Sequence, residues 1–122
     1  MAFFFIDSVE ECEPGVRVVA IKALAMNEEF FRDHFPGMPV LPGAMILEGF
    51  VQAARHCLDT QALVLCAVEQ MRFNRLATPG EVLRLEAEVT RTDDEGTWFK
   101  GRAGVDGEGV CRLKFAVRPL SD

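Results

Sequence analysis

A chain of 122 residues is long enough for one hydrophobic core and too short to expect a second, and 49% hydrophobic with 26% charged residues sets it apart from disordered and fibrous chains. Nineteen acids against 13 Lys and Arg leave a net charge of −6, which argues against nucleic acid as a partner. Any acidic partner must therefore find a local basic patch.

At the N-terminus, Phe3-Phe4-Phe5-Ile6 is followed by Asp7, Glu10 and Glu11 and preceded by no basic residue. That run is too short for a signal peptide or a membrane span, so a cytoplasmic protein without membrane contact is expected. The segment from Val16 to Ala23, rich in β-branched residues, predicts a strand. A proline-rich stretch, His34-Phe35-Pro36-Gly37-Met38-Pro39-Val40-Leu41-Pro42-Gly43, then stiffens the chain ahead of an apolar run. From Ala44 to about Leu58 few breakers occur, and Met45, Ile46, Leu47, Phe50, Val51, Ala53, Ala54, Cys57 and Leu58 cover most of the circumference of a helix. Such a helix belongs in the interior.

Leu63 to Val68 is continuously apolar and fits a strand covered on both faces or partly buried at a subunit contact. In Val82–Arg91, Leu83, Leu85, Ala87 and Val89 alternate with Arg84, Glu86, Glu88 and Thr90, the pattern of a strand with one wet face. The turn-rich segments Asp93-Asp94-Glu95-Gly96 and Asp106-Gly107-Glu108-Gly109 bracket Trp98–Val105 and precede Val110–Arg118, which completes an antiparallel meander. One domain over residues 1–122 is expected, an α+β fold in which an antiparallel sheet wraps one long central helix. The four cysteines, 12, 57, 66 and 111, lack C-x-x-C spacing and read as small buried hydrophobes in a reducing compartment.

Glu48 interrupts the apolar helix, with Gln52 at i+4 and Arg55 and His56 a further turn along. This polar stripe has two readings. Glu48 either marks the solvent side of an amphipathic helix, or it belongs to a cleft with His34 and with the unpaired N–H groups at the helix start near Gly43, where negative charge is favoured.

The run Asn27 to Gly43, with Leu47-Glu48 and Gln52 after it, resembles the signature of the β-hydroxyacyl-acyl-carrier-protein dehydratases, which have the hot-dog fold. Similarity continues through Met71-Arg72-Phe73-Asn74-Arg75, Thr78-Pro79-Gly80-Glu81 and the strand Val82 to Thr90, so it spans most of the chain. It implies a homodimer whose two sheets join side by side, a trimer of dimers as a higher assembly, and active sites at the dimer interface. His34 of one protomer would there face Glu48 of the other. The implied reaction turns a 3-hydroxyacyl thioester into a trans-2-enoyl thioester with no cofactor and no metal.

Within that resemblance His34 suits the base for the C2 proton and Glu48 the acid for the departing hydroxyl. The Gly43 N–H is the oxyanion donor, the Val40 carbonyl fixes the imidazole tautomer, and Gln52 orients Glu48. Phe50 and Phe73 are expected to line an acyl tunnel. The partner is an acyl carrier protein with a phosphopantetheine-linked substrate, and Arg72, Arg75 and Arg102 are candidates for docking it. Three departures stand out: Asp33 occupies a position commonly glycine in the family, the chain has no tyrosine to gate a tunnel, and its length, rather short for the housekeeping enzyme, leaves room for a secondary-pathway relative making polyketide, polyene or other lipid-like chains. Two alternatives are a hot-dog acyl thioesterase and a non-catalytic carrier-binding partner in a mixed dimer.

Overall fold

A computed structural model of the chain describes residues 5–25 and 43–120. The described residues form β1 (Ser8–Glu13), β2 (Arg17–Ala23), α1 (Gly43–Leu58), β3 (Leu63–Phe73), β4 (Val82–Asp93), β5 (Gly96–Val105) and β6 (Glu108–Pro119). The strands make one sheet in the order β1-β2-β4-β5-β6-β3, and every neighbouring pair is antiparallel. Helix α1 packs on one face of that sheet, so the architecture is α+β as the patterning predicts.

The alternation in β4 sends Leu83, Leu85 and Ala87 inward, and Ala103 and Val105 of β5 with Leu113, Phe115 and Val117 of β6 join them beneath the helix. Ile46, Phe50, Ala53, Ala54 and Cys57 of α1 close this core from above. Phe50, Phe115 and Phe99 form its aromatic centre, with ring centroids 5.6 and 5.1 Å apart along the series. Asp106 and Gly107 both adopt positive φ, 51° and 81°, which the two-residue turn joining β5 to β6 requires.

Three expectations need correction. Strand β1 was not expected, because Glu10, Glu11 and Glu13 leave only Val9 partly buried and erase the alternation that marks a strand. Strand β3 runs five residues beyond Val68 to Phe73, through a bulge in which Gln70 takes φ 53°. It is not covered on both faces either: as the outermost strand it leaves Leu65 and Val68 each 38% exposed in the single chain. Among the cysteines, Cys57 and Cys111 are buried, whereas Cys12 and Cys66 are exposed. Burial pushes the Cys111 thiol up to about 11 and also raises that of Cys57, so both remain protonated and unreactive at neutral pH.

Candidate active site

Helix α1 begins at Gly43 with no acid in its first turn, so no carboxylate of that turn neutralises the positive end of the helix dipole. A side chain at this position would have to displace the Phe73 ring of β3. A Cβ on Gly43 would stand 2.8 Å from Cζ of Phe73, whose ring lies over the helix start while remaining 48% exposed. The end of the outer strand and the start of the helix thus meet at one place.

One turn into the helix, Glu48 is partly exposed and takes its orientation from Gln52, whose Nε2 donates to Oε2 of Glu48 at 3.0 Å. Gln52 is only 5% exposed, and its Oε1 accepts the N–H groups of Phe5 at 2.8 Å and Ile6 at 3.1 Å. A buried carboxamide with both ends bonded is a rigid fixture rather than a solvated side chain. Nη1 of Arg55 stands 3.9 Å from the same Glu48 oxygen, and its Nε is buried without a hydrogen-bond partner. The helix stripe is therefore a connected polar network around one carboxylate. His56, further along, is exposed.

The predicted site residues fall into distinct settings. His34 and Val40 lie outside the described residues, as does Asp33. Gly43, Glu48 and Gln52 follow one another along α1. Phe50 is fully enclosed in the core, its ring 5.6 Å from that of Phe115, whereas Phe73 is half exposed beside Gly43.

The docking candidates also differ. Arg75 is engaged on two sides: its Nη1 lies 3.0 Å from Oε1 of Glu81 and its Nε 2.9 Å from Oε1 of Glu108. The Arg75 guanidinium, followed by the Thr78 N–H, pulls the Glu81 carboxyl down to about 2 against the smaller cost of burial, and the two acids raise Arg75 in turn. Arg72 instead opens onto a groove of about 590 Å³ on the outer face of the sheet, shared with Lys100, Arg102, Arg112 and Lys114. There Arg72 lies opposite Arg112, Arg112 opposite Arg102, and Lys114 opposite Lys100. Acids flank these cations in the same rows, Glu69 opposite Lys114, Glu88 opposite Lys100 and Glu86 opposite Arg102, so the positive charge is concentrated in the middle of the face. Within the groove only Arg102 has an ion-pair partner among the described residues, Glu86 at 3.3 Å. Sequence reading did not join Lys100, Arg112 and Lys114 to Arg72, because the β5–β6 hairpin brings the first three together but only the pairing of β3 with β6 adds Arg72.

An antiparallel sheet with one long apolar helix packed on it is the hot-dog arrangement, and solved structures share it. A protein from the dehydratase heterocomplex ApeI:P of Xenorhabdus doucetiae superposes with a TM-score of 0.75 at 20% identity, covering 93% of this chain and 96% of that one. The uncharacterized protein PH1136 of Pyrococcus horikoshii does so with a TM-score of 0.76 at 15% identity, over 97% and 85%. At these identities the likeness speaks for the fold. Family membership follows from sequence: the model of the FabA-like domain matches residues 1–114. The 3-hydroxyacyl-[acyl-carrier-protein] dehydratase FabZ of Anaeromyxobacter sp. (strain K) is 40% identical across 93% of this chain and 78% of its own length, and that of Variovorax paradoxus (strain S110) is 40% identical across 98% and 87%. The chain belongs to the FabA-like family, with FabZ dehydratases among its relatives.

Proposed function

We propose that this protein dehydrates 3-hydroxyacyl thioesters carried on acyl carrier protein to trans-2-enoyl thioesters, in fatty-acid synthesis or in a polyketide- or polyene-type pathway. The observation that carries the reading is the Glu48 carboxylate held by a buried amide on an otherwise apolar helix, one turn from a helix start that Phe73 partly roofs. Family membership and FabZ relatives at 40% identity support the same reaction.

Each group has one task. His34 takes the C2 proton, and the electron pair left on C2 forms the C2=C3 bond as the C3–O bond breaks. Glu48 passes its proton to the departing hydroxyl, which leaves as water. The Gly43 N–H stabilises charge building on the thioester oxygen, a contribution worth about 10²- to 10³-fold for a single donor. Val40 holds the imidazole tautomer through its carbonyl. The acyl chain runs beside Phe73 towards Phe50.

The working unit is a homodimer joined along β3, an outer strand of eleven residues whose first six, Leu63 to Val68, are apolar. His34 of one protomer then serves Glu48 of the other, and three such dimers form the higher assembly. Arg72 docks the acidic carrier together with the cations around it, and Arg75, paired to Glu81 and Glu108, shapes the adjoining turn. Among the described residues no helix is long and apolar enough to cross a membrane, and the cytoplasm is the expected compartment.

Purified protein supplied with a 3-hydroxyacyl carrier-protein thioester should produce the absorbance of the conjugated enoyl thioester. His34→Ala and Glu48→Gln should each lower that rate by roughly 10²- to 10⁴-fold, and mixing the two variants should restore part of it through hybrid dimers. Release of free thiol would assign the chain to the thioesterases instead. Wild-type rates in both variants would remove the site.

A further inference from the structure

Gln52 has its orientation set from outside the helix. With both the Phe5 and Ile6 N–H groups donating to Oε1, turning the amide over would set its NH₂ group against two donors. Those two bonds therefore decide which end of the side chain faces Glu48.

The segment that supplies the donors is itself fastened on two sides. On the sheet side, the Asp7 N–H donates to the Ile21 carbonyl at 2.8 Å, and Oδ2 of Asp7 accepts the Ala23 N–H at 2.7 Å. On the helix side, the fully buried Phe5 ring lies against Gly49, where a Cβ would stand 2.7 Å from its Cδ2 and 2.9 Å from Cδ1 of Leu85. Gly49 directly follows Glu48, so the ring rests on the stretch of helix that carries both Glu48 and Gln52. The absence of a side chain at 49 is what admits it.

We infer that Phe5–Asp7 is a positioning strap for the acid. The strap holds Gln52, Gln52 holds Oε2 of Glu48, and Oε1 is left to carry the proton to the substrate. This inference rests on the dehydratase reading. It adds that an element separated by more than forty residues from Glu48 governs kcat, while substrate affinity, set elsewhere, stays as it is.

Ile6→Pro tests it by deleting one of the two donors while leaving Phe5 and Asp7 in place. In the intact protein, kcat for enoyl formation should fall about tenfold with KM nearly unchanged. In a Glu48→Gln background the same substitution should lower the residual rate no further, because the group it positions is gone. An unchanged kcat, or equal losses in both backgrounds, would overturn the strap. A second measurement needs no variant to fold: the side-chain amide protons of Gln52 in the wild type should exchange slowly with solvent by NMR, and exchange at the rate of a solvated glutamine would also overturn it. Should the wild type make no enoyl product, the dehydratase reading fails, and the Gln52 exchange rate still decides whether the clasp exists.

Discussion

At one edge of the sheet β1 is six residues long, carries Glu10, Glu11 and Glu13, and is almost wholly exposed; at the other, β3 is eleven residues long and leaves Leu65, Val68 and Phe73 open. Both strands are bulged, β1 between Val9 and Glu11 and β3 at two places, so irregular pairing does not distinguish them. Side chains do. Glu10 and Glu11 are gathered by Arg17 and Arg84 into a network with Glu86, which fills the edge with charge and discourages a further strand. No comparable charge guards the apolar positions of β3, and its last residue, Phe73, lies against the helix start at Gly43. The edge left open for pairing therefore also borders the candidate site, which is what a site shared between two chains requires.

The strongest way to break this contrast is to place a charge in the middle of the open edge. Val68→Glu sets two carboxylates near each other wherever two copies pair across a twofold axis. Sedimentation velocity should show the wild type as a dimer or larger and the variant as a monomer. Dehydration should fall by about 100-fold or more, because on the proposed reading each site draws its base from one chain and its acid from the other. Ser8→Glu, an equally exposed position on β1, should change neither measurement. A Val68→Glu protein that stays dimeric would move the subunit contact away from β3.

A second test compares the ion pairs that close the two edges. Beyond the end of β3, Arg75 joins Glu81 to Glu108 and so ties the turn before β4 to the start of β6. Because Glu81 is held at about 2 rather than its ordinary 4.5, the folded state favours the ionised carboxyl. Its stabilising contribution is complete above pH 4.5 and drains away as the pH falls through 4.5 towards 2. Thermal melts between pH 2 and 6 should show the wild-type Tm falling across that window, and Arg75→Met should flatten the fall while lowering Tm at neutral pH. If the two curves ran parallel, Arg75 would not be what holds Glu81 down.

Much of this fold is legible in the sequence, and the exceptions have local causes. The four strands Arg17–Ala23, Val82–Asp93, Gly96–Val105 and Glu108–Pro119 and the helix Gly43–Leu58 lie within two residues of where alternation, turn residues and apolar circumference put them. Their cores are built from side chains whose periodicity is visible one residue at a time. The edges were less legible for the opposite reason: β1 buries almost nothing, and β3, readable over Leu63–Val68, breaks its own period at Gln70 before its end. At the candidate site the i, i+4 spacing of Glu48 and Gln52 was readable, because helix geometry alone sets it. The Phe5 and Ile6 anchors were not, since a backbone N–H reaching a side chain 46 or 47 residues away leaves no trace in either segment. Nor does a sequence say that Cys12 and Cys66 point outward while Cys57 and Cys111 point in; strand facing decides it.

The smallest effect on stability, and the one that sharpens the contrast most, comes from stripping the charge off β1. Arg84 lies within 3.6 Å of Glu10 and 3.5 Å of Glu11, and Arg17 bonds Glu11 at 2.9 Å, all at partly exposed positions where salt and water screen the attraction. The double variant Glu10→Val, Glu11→Val should accordingly melt close to the wild type, and what difference remains should shrink further in about 1 M salt. Its association should change instead. Without the acids β1 offers unpaired N–H and C=O groups beside two new β-branched side chains, the condition under which a second strand adds on. Light scattering should then show growth beyond the wild-type assembly as concentration rises, because an object that is sticky at both edges can extend without closing. An assembly state identical to that of the wild type would mean that something other than the glutamates keeps β1 unpaired, and the chemistry of the two edges would no longer explain why only one of them is left open to a second chain.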